Sequence, residues 1–138
     1  MVRAMLLASA TLLLGAAIVN AEQPKIAAAR ESEWVAPAKA NAKVNPLANR
    51  RDAAAGGGKL FQERCSVCHG DDAKGTPHGP GLTKAGVQAQ SDGALFWKIS
   101  SANTRTGMPT FSFLPSAQRW QLVLHLRSQA PMRPPAAH

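Results

Sequence analysis

The sequence lacks three features that would point to other classes of protein. After residue 21 no stretch is long and apolar enough to span a bilayer, so we expect a soluble mature protein. No alternating apolar pattern of useful length predicts a β-strand, and no segment is repeated. These absences exclude a β-rich or repeat architecture and favour an all-α domain.

Acidic residues are also scarce, since eight Asp and Glu stand against sixteen Lys and Arg, for a formal net charge of +8. A basic surface is compatible with nucleic acid, but the export signal described next argues against that partner. Two interpretations stay open. The charge steers docking onto acidic patches of partner proteins, or it is solvated lysine and arginine without a specific role.

The first 21 residues have the layout of a secretory signal peptide. Arg3 provides a positive start, residues 4–19 are mostly apolar, and Val19 and Ala21 occupy the positions that a signal peptidase reads. The alternative is an uncleaved membrane anchor. A helix of that apolar length would rise only about 24 Å, short of the roughly 30 Å hydrocarbon layer. We predict cleavage after Ala21 and a periplasmic location.

The remaining chain divides into a tail, a domain and a second tail. Residues 22–53 are rich in Ala, Pro, Asn and charge, which predicts an extended tail or linker. Trp34 in this tail is either exposed or an anchor that docks it. Residues 54–130 are predicted to form the domain, and residues 131–138 a Pro-rich tail.

Apolar periodicity predicts three main helices in the domain, over residues 53–64, about 92–101 and 116–129. Ser91 or Asp92 is the expected cap of the second helix. The connecting loops are long and rich in glycine and proline. Long loops normally count against such an assignment in a small domain, but a buried cofactor would require them.

Cys65 and Cys68 lie three positions apart, and His69 follows directly. Two thiols at this spacing on a helix end can reach the two vinyl groups along one edge of a porphyrin. The adjacent histidine then lies below the ring and can bind the iron axially. The motif therefore predicts one covalently bound haem c, with His69 as an iron ligand.

Three other interpretations of the motif are weaker. A structural zinc site needs four ligands, and the remaining histidines His78, His125 and His138 supply no second pair at regular spacing. A thioredoxin-like redox pair expects a preceding strand, which the sequence does not predict. A disulfide suits an exported protein but leaves His69 unexplained.

A second axial ligand is expected among the two methionines of the mature chain, Met108 and Met132. Met132 lies in the Pro-rich C-terminal tail. Met108 lies in the loop between the second and third helices, where a flanking glycine and proline can fix its sulfur toward the iron. Methionine is more often core filler than a ligand. His125 and His78 are the rival ligands, and we favour Met108, whose thioether raises the reduction potential.

These motifs, in this order, resemble those of class I cytochrome c, of the small bacterial monohaem type, from about Gly57 to Arg127. Gly58 and Phe61 match the family's first helix. In the family the first helix crosses the last helix at that glycine. The last helix of the family carries an aromatic residue, which Trp120 matches here. The resemblance implies the small all-α cytochrome c fold, with three main helices and long loops around one covalent haem.

The resemblance also implies roles for residues around the haem. The Pro80 carbonyl accepts the Nδ1 proton of His69, and Leu82 packs on the haem. The loop between the second and third helices resembles the distal loop of cytochromes that accept electrons from dehydrogenases. In those proteins the residues matching Trp97 and Arg105 often lie near the haem propionates. Ordinary core packing is the alternative for Trp97.

Together, the motif and the resemblance predict an electron carrier rather than an enzyme. Ligation by His69 and Met108 would leave no open iron position, so single electrons would pass between a dehydrogenase and a terminal oxidase or other respiratory partner. The chain is expected to act alone or as a subunit of such a complex, without nucleic acid. Two contrasting hypotheses are a haem enzyme or ligand sensor with a labile Met108, and a colourless Cys/His module that holds zinc.

Overall fold

The structure, a computed structural model, describes residues 34–130. The predicted signal peptide, residues 22–33 and the predicted C-terminal tail with Met132 lie outside the described residues. Within the described range the chain forms six helices and no strand, which confirms the all-α prediction. They are α1 (Ala38–Asn41), α2 (Arg51–Arg64), α3 (Ser66–His69), α4 (Ala85–Gln88), α5 (Asp92–Ser100) and α6 (Ser116–Ser128). Between residues 34 and 130 no helix has the length and apolar character needed to cross a membrane.

The three predicted helices correspond to α2, α5 and α6, with ends that differ by at most two residues. The cap of α5 is Ser91, whose hydroxyl accepts the backbone N–H of Ala94 at 3.0 Å. This bond satisfies one of the four amides that a helix start leaves unpaired. Three short helices, α1, α3 and α4, were not predicted, because four residues carry too little periodicity to be read from a pattern.

The core forms where α2 crosses α6. A Cβ atom at Gly57 would overlap the backbone carbonyl of Gln121, so only glycine allows the two backbones to approach this closely. One turn later Phe61 is buried, with 1% of its surface exposed, and Val123 of α6 is fully buried. The resemblance places the crossing glycine at Gly58, which does face α6, but through the His125 side chain. The closest approach of the two backbones is one residue earlier, at Gly57.

Helix α5 packs across α6 through a pair of aromatic rings. Phe96 stacks on Trp120 with ring centroids 4.0 Å apart and an interplanar angle of 21°. Arg127 of α6 donates from Nε to the Asp92 carboxylate at 2.8 Å, and it also donates to the backbone carbonyls of Gln88 and Gln90. This single side chain therefore holds the turn between α4 and α5 on α6.

The prediction of an extended tail is wrong over its described part. Residues 34–50, which we call the N-terminal segment, form α1 and pack on the domain. Asn45 is 3% exposed, and its Nδ2 donates to the Trp120 carbonyl at 3.4 Å. Trp34 is half-buried against Trp97, with ring centroids 6.1 Å apart, so the anchor alternative describes it. The segment is buried through alanine and one asparagine amide, so it lacks the apolar periodicity from which packed segments were predicted.

Candidate functional site

The cysteine motif lies at a break between two helices. Helix α2 ends at Arg64, Cys65 leaves the helical conformation with φ −121° and ψ −33°, and α3 begins one residue later. The backbone amides of Cys68 and His69 both donate to the Cys65 carbonyl, at 3.1 Å and 2.9 Å. The short helix α3 thus brings the two thiols and the imidazole into one turn of chain.

Both thiols are free and partly buried. Burial, together with the neighbouring Cys68 thiol, raises the pKa of Cys65 from 9.0 to about 11. Cys65 is therefore a neutral thiol at neutral pH. Between the cysteines, Val67 is 78% exposed, so the motif presents an apolar side chain at the protein surface.

His69 is 9% exposed, and its orientation is fixed by one hydrogen bond. Its Nδ1 lies 2.8 Å from the Pro80 carbonyl oxygen, the contact that the resemblance implies. Because a carbonyl can only accept, Nδ1 carries the proton and Nε2 keeps the lone pair that a metal ion needs. The imidazole is thus oriented and in the correct tautomer for iron.

The loop that supplies Pro80 is fastened to α3 by backbone contacts. Thr76 donates its hydroxyl to the Cys68 carbonyl at 2.6 Å, and the Gly75 amide donates to the His69 carbonyl at 2.8 Å. A Cβ atom at Gly79 would lie 2.7 Å from that same Cys68 carbonyl oxygen, so the loop can press against α3 only with glycine there. Sequence reasoning missed Thr76, although a hydroxyl residue before a proline is a usual turn signal.

Met108 lies in a turn whose two ends are joined by backbone hydrogen bonds. Its carbonyl accepts the Asn103 amide at 2.9 Å, and its own amide donates to the Asn103 carbonyl at 3.1 Å. Gly107 makes the turn possible with a φ of +79°. Sequence reasoning also missed Asn103, a buried asparagine four residues before that glycine, which closes the turn.

Three of the predicted site residues contact the apolar core. Cys65, Leu82 and Met108 are partly buried and pack against the same core cluster, which contains Phe61 and Leu95. The donor set of two thiols, an imidazole with Nε2 available and a thioether fits a covalently attached haem. No three His, Cys, Asp or Glu side chains between residues 34 and 130 are grouped as metal ligands, so the zinc interpretation gains no support.

The other predicted residues lie elsewhere. Trp97 is half-buried and contacts Trp34, and Arg105 is exposed in the Met108 turn, so a position near haem propionates stays a prediction for both. His125 packs on Phe61 between α2 and α6, with ring centroids 5.1 Å apart, and burial lowers its pKa. His78 is exposed in the loop behind His69.

Comparison with protein families places the domain in a known family. A family model described as cytochrome C oxidase, cbb3-type, subunit III matches residues 52–126, more than half of the chain. The matched range contains the cysteine motif, the loop behind His69 and the Met108 turn. Comparisons with curated proteins and with solved structures gave no significant match. The chain therefore belongs to this family of c-type cytochrome domains, and its cofactor is covalently bound haem c.

Proposed function

We propose that the protein is a periplasmic electron carrier with His69 and Met108 as the axial ligands of its haem iron. It would pass single electrons between a dehydrogenase and a terminal oxidase or another respiratory partner. The observation that carries the proposal is the 2.8 Å contact between His69 Nδ1 and the Pro80 carbonyl. It leaves the imidazole with one function, the donation of its Nε2 lone pair to a metal beside the two thiols.

When bound, haem c supplies a one-electron couple between ferric and ferrous iron. Cys65 and Cys68 hold the group covalently, so it cannot dissociate. The Pro80 carbonyl strengthens donation by His69, because it accepts the opposite ring proton. The Met108 thioether favours the ferrous state and raises the potential.

Apolar side chains exclude water from the site. Phe61, Leu95, Phe111 and Leu114 are each at most 9% exposed, and Leu82 packs against the cluster that they form. A dry surrounding of low dielectric favours the less charged ferrous centre. With His69 and Met108 as ligands the iron would have no open position, which would favour transfer of electrons over the binding and conversion of a substrate.

Charge supports a partner with an acidic surface. Residues 34–130 contain twelve Lys and Arg and five Asp and Glu. Three of those acids are already paired, Asp52 with Arg50, Asp72 with Lys74 and Asp92 with Arg127. The remaining excess of positive charge would accelerate docking on an acidic partner in a salt-dependent way.

A second version of the function follows from the family description, which names an oxidase subunit. In that version the chain is held in an oxidase complex and passes electrons within it. Gentle solubilisation of native membranes distinguishes the two versions. A subunit copurifies with haem–copper oxidase polypeptides at fixed stoichiometry, whereas a free carrier stays in the periplasmic extract.

Absorbance of the purified exported protein tests the proposed ligation. We expect a sharp low-spin c-type spectrum on reduction and a far-red methionine–iron charge-transfer band on oxidation. Met108→Ala should abolish the far-red band, and Met132→Ala, the matched control, should keep it. A colourless protein would contradict the proposal. A band that survives Met108→Ala would remove Met108 as the ligand.

The proposed location has its own test. Periplasmic extraction followed by intact-mass measurement should find a chain that begins at Glu22 and carries one haem. A chain that keeps residues 1–21 and sediments with membranes would contradict both the cleavage and the free carrier.

A further inference from the structure

The N-terminal segment, residues 34–50, precedes the family match, which begins at residue 52, yet it is part of the same compact unit. Its inner side carries the buried Ala40 and Asn45, whereas Val35 and Val44 point outward with 70% and 82% of their surface exposed. One side of the segment is therefore committed to the domain.

The segment holds the first turn of α5. At Gly93 an added Cβ atom would overlap the Ala40 carbonyl oxygen and would lie 2.7 Å from the Lys43 carbonyl oxygen. Ser91, the cap of α5, also donates its hydroxyl to the Asn41 carbonyl at 2.8 Å. Backbone atoms of the segment thus meet the start of α5 with no side chain between them.

The segment also contacts the middle of α5. The Trp34 ring lies against Trp97, and the Lys98 ammonium is 5.0 Å from the Trp34 ring centroid. From the middle of the segment, the Lys43 ammonium lies 5.5 Å from the Phe96 ring centroid. Two consecutive turns of α5 are therefore covered by one short piece of chain.

The opposite end of α5 holds the loop that carries Met108. The Ile99 carbonyl accepts the Phe111 amide at 3.0 Å, and the Ser100 carbonyl accepts the Thr110 hydroxyl at 2.8 Å. Helix α5 has nine residues and is interrupted neither by proline nor by a bend. A short rigid helix transmits a displacement of one end to the other, because its hydrogen bonds resist bending.

We propose that the N-terminal segment is a positioning element for the Met108 loop and acts through α5. The segment sets where α5 lies, and α5 sets where the loop begins and how far Met108 stands from the iron. The proposal rests on the proposed function in one respect, that Met108 is the axial ligand. Trp34 and Gly93 are its positioning residues.

The decisive variant is Gly93→Ala in the full-length, haem-loaded protein, with Gly86→Ala as the matched control. Both changes add one methyl group to a helical glycine. At Gly93 the methyl meets the segment's backbone, whereas at Gly86 no atom lies within 4 Å. We expect Gly93→Ala to weaken the far-red methionine–iron band and to raise azide affinity at least about tenfold, because ligand binding then competes with a displaced Met108. Gly86→Ala should change neither.

Hydrogen exchange separates positioning from a general loss of stability. In Gly93→Ala the amides of Met108 and Phe111 should exchange at least about tenfold faster, while those of Phe61 and Val123 at the α2–α6 crossing keep their rates. Equal acceleration at both places would overturn the proposal in favour of a purely structural segment. The exchange test also stands if Met108→Ala shows that another residue is the iron ligand.

Trp34→Ala provides an independent variant should Gly93→Ala fail to fold, and Val44→Ala is its control on the exposed side of the same segment. Trp34→Ala should shift the band, the azide affinity and the loop exchange in the same direction as Gly93→Ala, but less. Val44→Ala should leave all three unchanged. If Met108→Ala abolishes the band while Trp34→Ala and Gly93→Ala leave it intact, the proposed function stands and the positioning role is wrong.

Discussion

The two loops that flank the site are held in different ways. The loop behind His69, residues 70–84, is fastened by its own backbone to α3, which it directly follows. It contains three residues with positive φ, Gly70, Ala73 and Gly75. The loop with Met108, residues 101–115, contains one such residue, and it is anchored to α5 and to Arg119 of α6. Rigidity on the His69 side is thus local, whereas on the Met108 side it depends on how the helices pack.

The largest expected effect comes from adding a methyl group to one glycine in each loop. At Gly75, φ is +99° and a Cβ atom would lie 2.6 Å from the Gly81 amide nitrogen, whereas at Gly107, φ is +79° and the space is open. We expect Gly75→Ala to lower the free energy of unfolding by about 3 kcal/mol, from backbone strain plus overlap. Gly107→Ala should lower it by about 1 kcal/mol, from strain alone.

Equilibrium denaturation of the haem-loaded variants measures both changes, and each protein is the other's control. Equal losses would contradict the description of a crowded loop on the His69 side and an open turn at Met108.

A second prediction tests the long-range hold on the Met108 loop. Arg119 donates from Nε to the Leu114 carbonyl at 3.1 Å and from Nη1 to the Ser100 hydroxyl, and its guanidinium lies 4.7 Å from the Phe96 ring centroid. Arg119→Met should lower the free energy of unfolding by about 2 kcal/mol, because the Leu114 carbonyl and the Ser100 hydroxyl lose a charged, partly buried donor.

The same variant should accelerate hydrogen exchange at Phe111 and leave Gly75 unchanged, since within residues 34–130 the Arg119 side chain hydrogen-bonds to the Met108 loop and to α5. Arg64→Met is the matched control, because Arg64 is exposed at the end of α2. Faster exchange at Gly75 would mean that the two loops are not independently held.

The smallest expected effect is a dependence of stability on pH, which arises at His125 between α2 and α6. Burial against Phe61 and Gly58 lowers the pKa of His125 in the folded protein below its unfolded value near 6.5. The unfolded chain therefore binds the proton more tightly. The contribution of neutral His125 to the free energy of unfolding is fully present above the unfolded pKa. It is lost as the pH drops through that value toward the folded pKa.

Thermal unfolding of the haem-loaded protein at about pH 7.5 and pH 5 measures this loss. His125→Gln should show a shallower decline than the parent protein, because the residue that must be protonated is absent. An unchanged pH dependence would show that other groups dominate the acid sensitivity.

Much of the site could be predicted from short-range patterns. The two thiols and the imidazole lie within five consecutive residues. The long helices have enough apolar periodicity for their ends to be predicted to within two residues. The contact of His69 with Pro80 followed from the resemblance to class I cytochrome c. These features depend on neighbours in the sequence.

What the sequence by itself determined is therefore the all-α class and the covalent attachment of haem at Cys65 and Cys68. Only the tertiary structure decided that the backbones of α2 and α6 approach each other at Gly57 rather than at Gly58, since the choice depends on which face α6 covers. It also decided that residues 34–50 belong to the domain. That segment has no periodicity of its own, and its buried Ala40 and Asn45 find partners at Gly93 and Trp120, about 50 and 75 residues further along the chain. Contacts over such distances depend on the shape of the folded surface, which no local pattern encodes.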